Sequence, residues 1–186
     1  MVRPSALCFT VLALVISAKA QAASLGLIEL PQKPIAPVLG LADLTGKIHQ
    51  LEAYRGNIVV VHFWATWCAP CRRELPALQK ASEELLPEGV AVLAINVGEA
   101  SDRVRRFLSD RNVTFPVLTD PSAESRRRWQ VNAMPTTYIV DQNGVIFFGA
   151  VGERNWAEGR LMRQILSLKD ATPQKWVSNR TPKLAE

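Results

Sequence analysis

The stretch from Ile58 to Leu86 constrains the fold more than any other part of the chain. It begins with an apolar, β-branched run from Ile58 to Phe63 and then passes through Cys68-Ala69-Pro70-Cys71. Beyond the cysteines, leucines recur at the spacing of one helical face, at Leu75, Leu78, Leu85 and Leu86. The pattern predicts a strand, a short turn and a helix, with both cysteines at the helix N-terminus. Pro70 suits the first helical turn, where its missing N–H would have no intrahelical partner.

The position of the cysteines predicts redox chemistry. Free N–H groups and the positive end of a helix dipole favour a thiolate at Cys68. Two intervening residues let the Cys71 sulfur reach the Cys68 sulfur. The motif therefore supplies a nucleophile and a second thiol that can resolve a mixed disulfide.

Two other interpretations of the cysteine pair compete with this one. The pair is also half of a zinc site, but zinc takes four ligands, and Cys8, His49 and His62 stand at unsuitable spacings. A purely structural disulfide would close a very short loop and stabilise the fold little. We therefore favour redox chemistry and expect neither a metal nor a cofactor.

Two segments resemble one protein family. Phe63-Trp64-Ala65-Thr66-Trp67-Cys68-Ala69-Pro70-Cys71 is similar to the active-site segment of the thioredoxin superfamily, in particular the TlpA/ResA/CcmG branch of extracytoplasmic thiol–disulfide oxidoreductases. Met134-Pro135-Thr136-Thr137 resembles the second landmark of that branch, and the likeness runs from about Pro37 to Leu168. It implies a thioredoxin-like three-layer α/β sandwich with an added N-terminal β-hairpin, and a redox-active disulfide between Cys68 and Cys71.

The resemblance also implies roles for residues around the disulfide. Pro135 is expected in the cis form opposite the cysteines, with the Met134 backbone turned outward to pair with a substrate strand. Met134 as an ordinary core residue is the alternative. Three residues beside Cys68 are expected to shape the substrate surface, namely Trp67, Ala69 and Pro70.

Glu74 and His62 are the candidates for proton transfer. Glu74 matches the glutamate that the ResA-like branch places near the sulfurs, and its spacing keeps it on the Cys71 side of the helix. An exposed helix carboxylate is the alternative. His62 stands where thioredoxins have aspartate and this branch commonly has asparagine. We expect Glu74 to accept the Cys71 proton and His62 to be a neutral supporting group, with a hydrogen-bonded core histidine as the alternative.

The chain ends are predicted to lie outside the domain. Residues 1–22 have a basic start, an apolar run of 13 residues and an Ala18-Lys19-Ala20 cleavage pattern. This predicts a cleaved signal peptide and a periplasmic protein, with an uncleaved membrane anchor as the alternative. Cys8 would be removed with it. Residues 23–37 are predicted to be an extended linker, 38–170 the thioredoxin-like domain and 171–186 a C-terminal tail.

Other segments complete the predicted order of elements. The pattern predicts a hairpin over 38–51 that carries His49 at the surface, and a buried strand over 90–97. It then predicts a helix from Ser101 to about Asn112, a strand over 113–118 and a helix from Asp120-Pro121 to about Gln130. A second hairpin over 136–150 turns at Asn143-Gly144, and Asn155 with Glu158 is predicted to cap a final helix.

Charge gives only weak information about partners. The chain has 22 basic and 17 acidic side chains, a formal net charge of +5, which falls to +3 if Arg3 and Lys19 leave with the signal peptide. Seven arginines lie on two predicted helices: Arg103, Arg105, Arg106, Arg111, Arg126, Arg127 and Arg128. We favour a solvated face over nucleic-acid binding as the interpretation of these arginines. A docking patch for an acidic partner is a third interpretation, which we favour less than the solvated face and more than nucleic-acid binding.

Together these features predict an exported protein that reduces disulfides in other proteins. The resemblance implies substrates such as apocytochrome c or copper-site proteins, and a membrane electron donor of the DsbD/CcdA type. A disulfide donor or isomerase is the first alternative; however, Pro135 stands only 64 positions after Cys71, which leaves too few residues for the large helical insertion of DsbA-type oxidases. A non-catalytic binding module is the second alternative.

Overall fold

The computed structural model describes residues 26–170. The predicted signal peptide with Cys8 and the predicted tail 171–186 lie outside the described residues. The strands are β1 Ile28–Glu29, β2 Gly40–Ala42, β3 Ile48–Gln50, β4 Ile58–Trp64, β5 Val90–Val97, β6 Val117–Asp120, β7 Thr136–Val140 and β8 Ile146–Val151. The α-helices are α1 Ala69–Leu85, α2 Ser101–Leu108, α3 Glu124–Arg128 and α4 Gly159–Leu166. Three short 3₁₀ helices occupy Leu51–Tyr54, Leu86–Glu88 and Ser167–Lys169.

A six-stranded sheet in the order β1-β8-β7-β4-β5-β6 forms the centre of the domain. The strands β4, β5 and β6 are parallel, whereas β7 and β8 add antiparallel partners on the other side of β4. Every residue of β4 is buried, which agrees with the continuous apolar run of a strand covered on both faces.

Side chains of β4 alternate between two apolar clusters. Val60 and Trp64 pack with residues of α1 and α4, whereas Val59, Val61 and Phe63 pack with Trp129 and the N-terminal segment. The sheet is thus covered on both faces, and the predicted three-layer thioredoxin-like sandwich is confirmed. His62 has the same parity as Val60 and Trp64 and therefore lies on the α1 side.

The predicted N-terminal hairpin is present as the antiparallel pair β2–β3. An isolated bridge between Asp43 and Leu118 joins it to the edge strand β6. The expectation of a surface histidine on this hairpin is wrong, because His49 is 5% exposed. Its Nε2 lies 2.8 Å from Asp43 Oδ2 and its Nδ1 lies 2.6 Å from the Tyr54 hydroxyl.

Several predicted boundaries differ from the structure. The strand predicted over 113–118 begins only at Val117, because Thr114 N–H is bonded to the Gln79 side chain and Pro116 has no N–H. The helix predicted from Pro121 shrinks to α3, since Ala123 has a left-handed φ of 55° that interrupts a helix. Leu86, predicted on the buried face of α1, follows the end of that helix and is exposed.

The structure also differs from the predictions near the two ends of the described region. Part of the lead-in predicted over 23–37 forms β1, which pairs with β8 and extends the sheet; the domain boundaries themselves stay a prediction. The predicted capping box of α4 is wrong, because Glu158 at the N-cap makes no capping bond and Asn155 Oδ1 accepts instead from Ala157 N–H. Between residues 26 and 170, no helix is both long and apolar enough to cross a membrane.

Candidate active site

Cys68 occupies the N-cap of α1 and is joined to Cys71 by a disulfide. Cys68 Sγ accepts a hydrogen bond from Cys71 N–H at 3.3 Å, as expected for a sulfur at the free N–H groups of a helix. Cys71 is fully buried, whereas Cys68 retains 5% exposure. Cys68 is therefore the more accessible of the two residues, and Cys71 is enclosed by the protein.

The surface around the disulfide combines apolar and backbone features. Trp67 is 60% exposed directly before Cys68, while Ala69 is exposed and Pro70 half-buried on the first turn of α1. The Met134–Pro135 peptide bond is cis, and Met134 is half-buried against both apolar clusters. The expected substrate contacts of these residues stay predictions.

Glu74 is almost completely buried, with 3% exposure, so the alternative of an exposed helix carboxylate is wrong. Its Oε2 accepts from Arg154 N–H at 2.9 Å and from Trp156 Nε1–H at 3.2 Å. Burial disfavours the charged form and raises the pKa of Glu74 to about 7, although these two hydrogen bonds act in the opposite direction. The carboxylate can therefore gain and lose a proton near neutral pH.

His62 lies directly against the second oxygen of Glu74. Its Nε2 is 3.3 Å from Glu74 Oε1, and its Nδ1 is 2.9 Å from Thr137 Oγ1. Within residues 26–170, neither Nε2 nor Oε1 has a hydrogen bond of good geometry. Complete burial lowers the pKa of His62 to about 3, so the ring is neutral at physiological pH.

A second carboxylate network holds the turn that precedes Cys68. Thr66 donates its N–H to Glu99 Oε2 at 2.7 Å and its hydroxyl to Oε1 at 2.6 Å. Asn96 Nδ2 and Arg103 Nε also contact this carboxylate. Burial alone would raise the pKa of Glu99, but these hydrogen bonds and the Arg103 charge outweigh it and lower the pKa. Glu99 is therefore ionised at neutral pH and anchors this turn as an anion.

Sequence reasoning found some of these residues and missed others. It grouped Cys68, Cys71 and Glu74, which share the first turns of α1, and it singled out His62. It missed Trp156 and Arg154, because they stand 80 or more residues from Glu74. It also missed Glu99, for which a signal exists: Glu99 follows β5, and adjacent parallel strands end at the same edge of a sheet.

Other candidate sites are not assembled by the fold. Among residues 26–170, no group of three or more His, Cys, Asp or Glu side chains is placed to hold a metal ion. Several of the arginines considered for partner binding are paired within the surface, as Arg105–Asp102, Arg111–Asp110 and Arg128–Glu124. This pairing favours a solvated face.

Comparison with known proteins identifies relatives named as thiol-disulfide oxidoreductases. The model of the AhpC/TSA family matches residues 33–148, more than half of the chain. The thiol-disulfide oxidoreductase ResA of Geobacillus thermodenitrificans (strain NG80-2) is 39% identical over 111 residues, which are 60% of this chain and 64% of the relative. ResA of Bacillus subtilis (strain 168) is 33% identical over 111 residues, 60% of this chain and 62% of the relative. The chain thus spans less than two thirds of the length of these two relatives.

A solved structure agrees over a larger share of the fold. The thiol:disulfide interchange protein DsbE from Chlorobium tepidum superposes with a TM-score of 0.69 at 30% identity. The match covers 77% of this chain and 99% of that protein.

The raised pKa of Glu74 predicts a pH-dependent stability that Glu74→Gln removes. Glutamate in an unfolded chain has a pKa of about 4.3, and in the fold it is about 7. The stabilising contribution is therefore complete below pH 4.3 and is lost as pH rises through 7. Between pH 5 and 8, the wild-type free energy of unfolding should fall by about 2 to 3 kcal/mol relative to Glu74→Gln. Denaturant unfolding of the oxidised proteins measures this difference.

Glu84→Gln is the matched control, because Glu84 is exposed on the same helix. The difference between this control and the wild type should not change with pH. If Glu74→Gln and wild-type stabilities ran parallel from pH 5 to 8, the ionisation of Glu74 would not be coupled to folding.

Proposed function

The chain belongs to the AhpC/TSA family, and from that premise we propose that it is a thiol:disulfide oxidoreductase that reduces disulfides in other proteins. The observation that carries the proposal is a Cys68–Cys71 disulfide at a helix N-terminus with a titratable, buried carboxylate on the same helix. Names of relatives point the same way, since ResA and DsbE are both described as thiol–disulfide enzymes.

The proposed reaction starts from the reduced enzyme. The Cys68 thiolate attacks one sulfur of a substrate disulfide, which forms a mixed disulfide and releases the other substrate sulfur as a thiolate. Cys71 then gives its proton to Glu74 and attacks Cys68 Sγ, which frees the second substrate sulfur. The enzyme ends as the Cys68–Cys71 disulfide, and two electrons have passed to the substrate.

Glu74 suits the second step better than His62. A base must be unprotonated before the step and must hold a proton after it, so its pKa should lie near the working pH. The pKa of Glu74 is raised to about 7, whereas that of His62 is lowered to about 3. His62 would hold a second proton poorly, and we assign it a supporting role.

The cellular setting is part of the same proposal. A leader over residues 1–22 would export the protein to the periplasm. There the spent disulfide needs a donor that carries electrons across the membrane, and we propose one of the DsbD/CcdA type. Disulfides of apocytochrome c or of copper-site proteins are the proposed substrates.

Substitution of each cysteine should give a different defect. Cys68→Ser should abolish insulin reduction, because the attacking sulfur is lost. Cys71→Ser should still attack but should accumulate mixed disulfides, since nothing resolves them. Non-reducing gels after incubation with a disulfide substrate show the difference, and mass spectrometry of adducts from the native host would identify the partners. If Cys68→Ser retained insulin reduction, the proposed function would be wrong.

The direction of electron flow should appear in the reduction potential. A reductase should lie nearer to the thioredoxin value of about −270 mV than to the DsbA value of about −120 mV. Equilibration with glutathione and with dithiothreitol buffers, read by alkylation, gives the potential. A value close to that of DsbA would favour the disulfide donor instead.

Substitutions of Glu74 and of His62 should slow the resolving step, in which Cys71 attacks the mixed disulfide, to different extents. Glu74→Gln should slow resolution of a preformed mixed disulfide by about 10- to 100-fold, the usual range for loss of a general base. His62→Asn should slow it less, because His62, with its pKa lowered to about 3, holds an added proton poorly. Stopped-flow measurements from pH 5 to 9 compare them. A larger effect of His62→Asn would reverse the two assignments.

A further inference from the structure

The loop between β8 and α4, residues 152–158, contacts both the cis-proline segment and Glu74 on α1. Gly152 N–H donates to Pro135 O at 2.8 Å, which joins the loop to the cis-proline segment. Arg154 N–H and Trp156 Nε1–H both donate to Glu74 Oε2. One short loop therefore connects the cis-proline segment to Glu74 on the helix that carries the cysteines.

The Arg154 side chain holds this loop in shape. Its guanidinium donates to the carbonyl oxygens of Val151 at 3.1 Å, Gly152 at 3.2 Å and Glu153 at 2.9 Å. The residue is only 5% exposed, so these bonds are shielded from water. At the surface, an ion pair between Glu153 and Arg73 fastens the same loop to α1. The donors that meet Glu74 are thus held by a rigid loop.

The two oxygens of Glu74 have different surroundings as a result. Oε2 accepts two hydrogen bonds, whereas Oε1 has no good hydrogen bond among residues 26–170 and faces His62 Nε2. An oxygen with two donors is a poor place for a further proton, because the added hydrogen would point at those donors. The arrangement leaves Oε1 as the oxygen that exchanges a proton.

We propose that Trp156 is a positioning residue for Glu74: its indole N–H, together with the Arg154 backbone N–H, reserves Oε2 and directs proton exchange to Oε1. This inference rests on the proposed function, because it concerns the base of the resolving step. Trp156 has no role at the sulfurs in this scheme. Besides its hydrogen bond to the carboxylate, its ring meets the His62 ring edge-on, with 6.3 Å between the ring centroids.

The hydrogen bond from Trp156 also determines in which direction the pKa of Glu74 shifts when Trp156 is replaced. It stabilises the ionised carboxylate, so its loss favours the protonated form and raises the pKa of Glu74. The other ionisable groups around Glu74 are His62 on β4, Arg73 and Cys71 on α1, and Glu153 and Arg154 on the loop, and a substitution of Trp156 leaves all of them in the chain.

Trp156→Phe tests the proposal by a titration that needs no turnover. The carboxyl carbon of Glu74 in the oxidised, ¹³C-labelled protein can be followed by NMR from pH 4 to 10. The midpoint should move up by about one pH unit, since one of two hydrogen bonds to the ionised group is lost. The midpoint of the pH profile for resolution should move up by the same amount.

Trp129→Phe is the matched control. Trp129 is also buried, at 3% exposure, but its Nε1 has no hydrogen-bond partner within residues 26–170 and it packs in the other apolar cluster. The control loses the same atoms from a core and should leave the Glu74 midpoint unchanged. Replacement of Trp156 by benzothienylalanine removes the N–H while keeping the ring shape, which covers the case that Trp156→Phe does not fold.

The outcomes separate this inference from the proposed function. If Trp156→Phe lowered thermal stability as much as Trp129→Phe and left the midpoint of Glu74 in place, Trp156 would be a structural residue only and the inference would be wrong. Such a result would leave insulin reduction by Cys68 intact. Insulin reduction that persists in Cys68→Ser would instead refute the function, whatever the titration shows.

Discussion

The burial of one carboxylate beneath the start of α1 is the constraint on which the active-site region depends. A buried carboxylate needs hydrogen-bond donors, and Glu74 finds two on the loop after β8. This need ties the loop to α1, and Gly152 ties the loop to the cis-proline segment. His62 lies against the remaining oxygen, and because burial keeps its ring neutral, Glu74 rather than His62 titrates near physiological pH.

Two buried carboxylates on either side of Cys68 behave in opposite ways for a physical reason. Burial dominates at Glu74, whose two hydrogen bonds only partly offset it, and the pKa rises to about 7. At Glu99, hydrogen bonds from Thr66 and Asn96 and the Arg103 charge outweigh burial, and the pKa falls. Glu99 can therefore hold the turn before Cys68 as a fixed charge, while Glu74 remains available for proton transfer.

Local patterns predicted the elements that depend on local physics. The apolar run of β4, the helix that starts at the cysteines and the turn at Asn143-Gly144 follow from periodicity and turn chemistry. Predictions failed where a distant partner decides the outcome. His49 was expected at the surface, yet Asp43 and Tyr54 bury it, and the strand expected over 113–118 starts late because a side chain of α1, Gln79, takes the Thr114 N–H.

The sequence by itself determined the redox pair, because both cysteines lie within one strand–turn–helix segment. The order of elements and the resemblance to the thioredoxin superfamily indicated the fold class, and the same resemblance singled out Glu74 and His62 as candidates for proton transfer. Only the tertiary structure decided in which direction the pKa values of Glu74 and His62 shift. The pKa of Glu74 depends on burial and on donors from Arg154 and Trp156, which lie 80 and 82 residues away along the chain. The pKa of His62 depends on its complete burial. Desolvation and hydrogen bonding are properties of the packed environment, and no local pattern of residues encodes them.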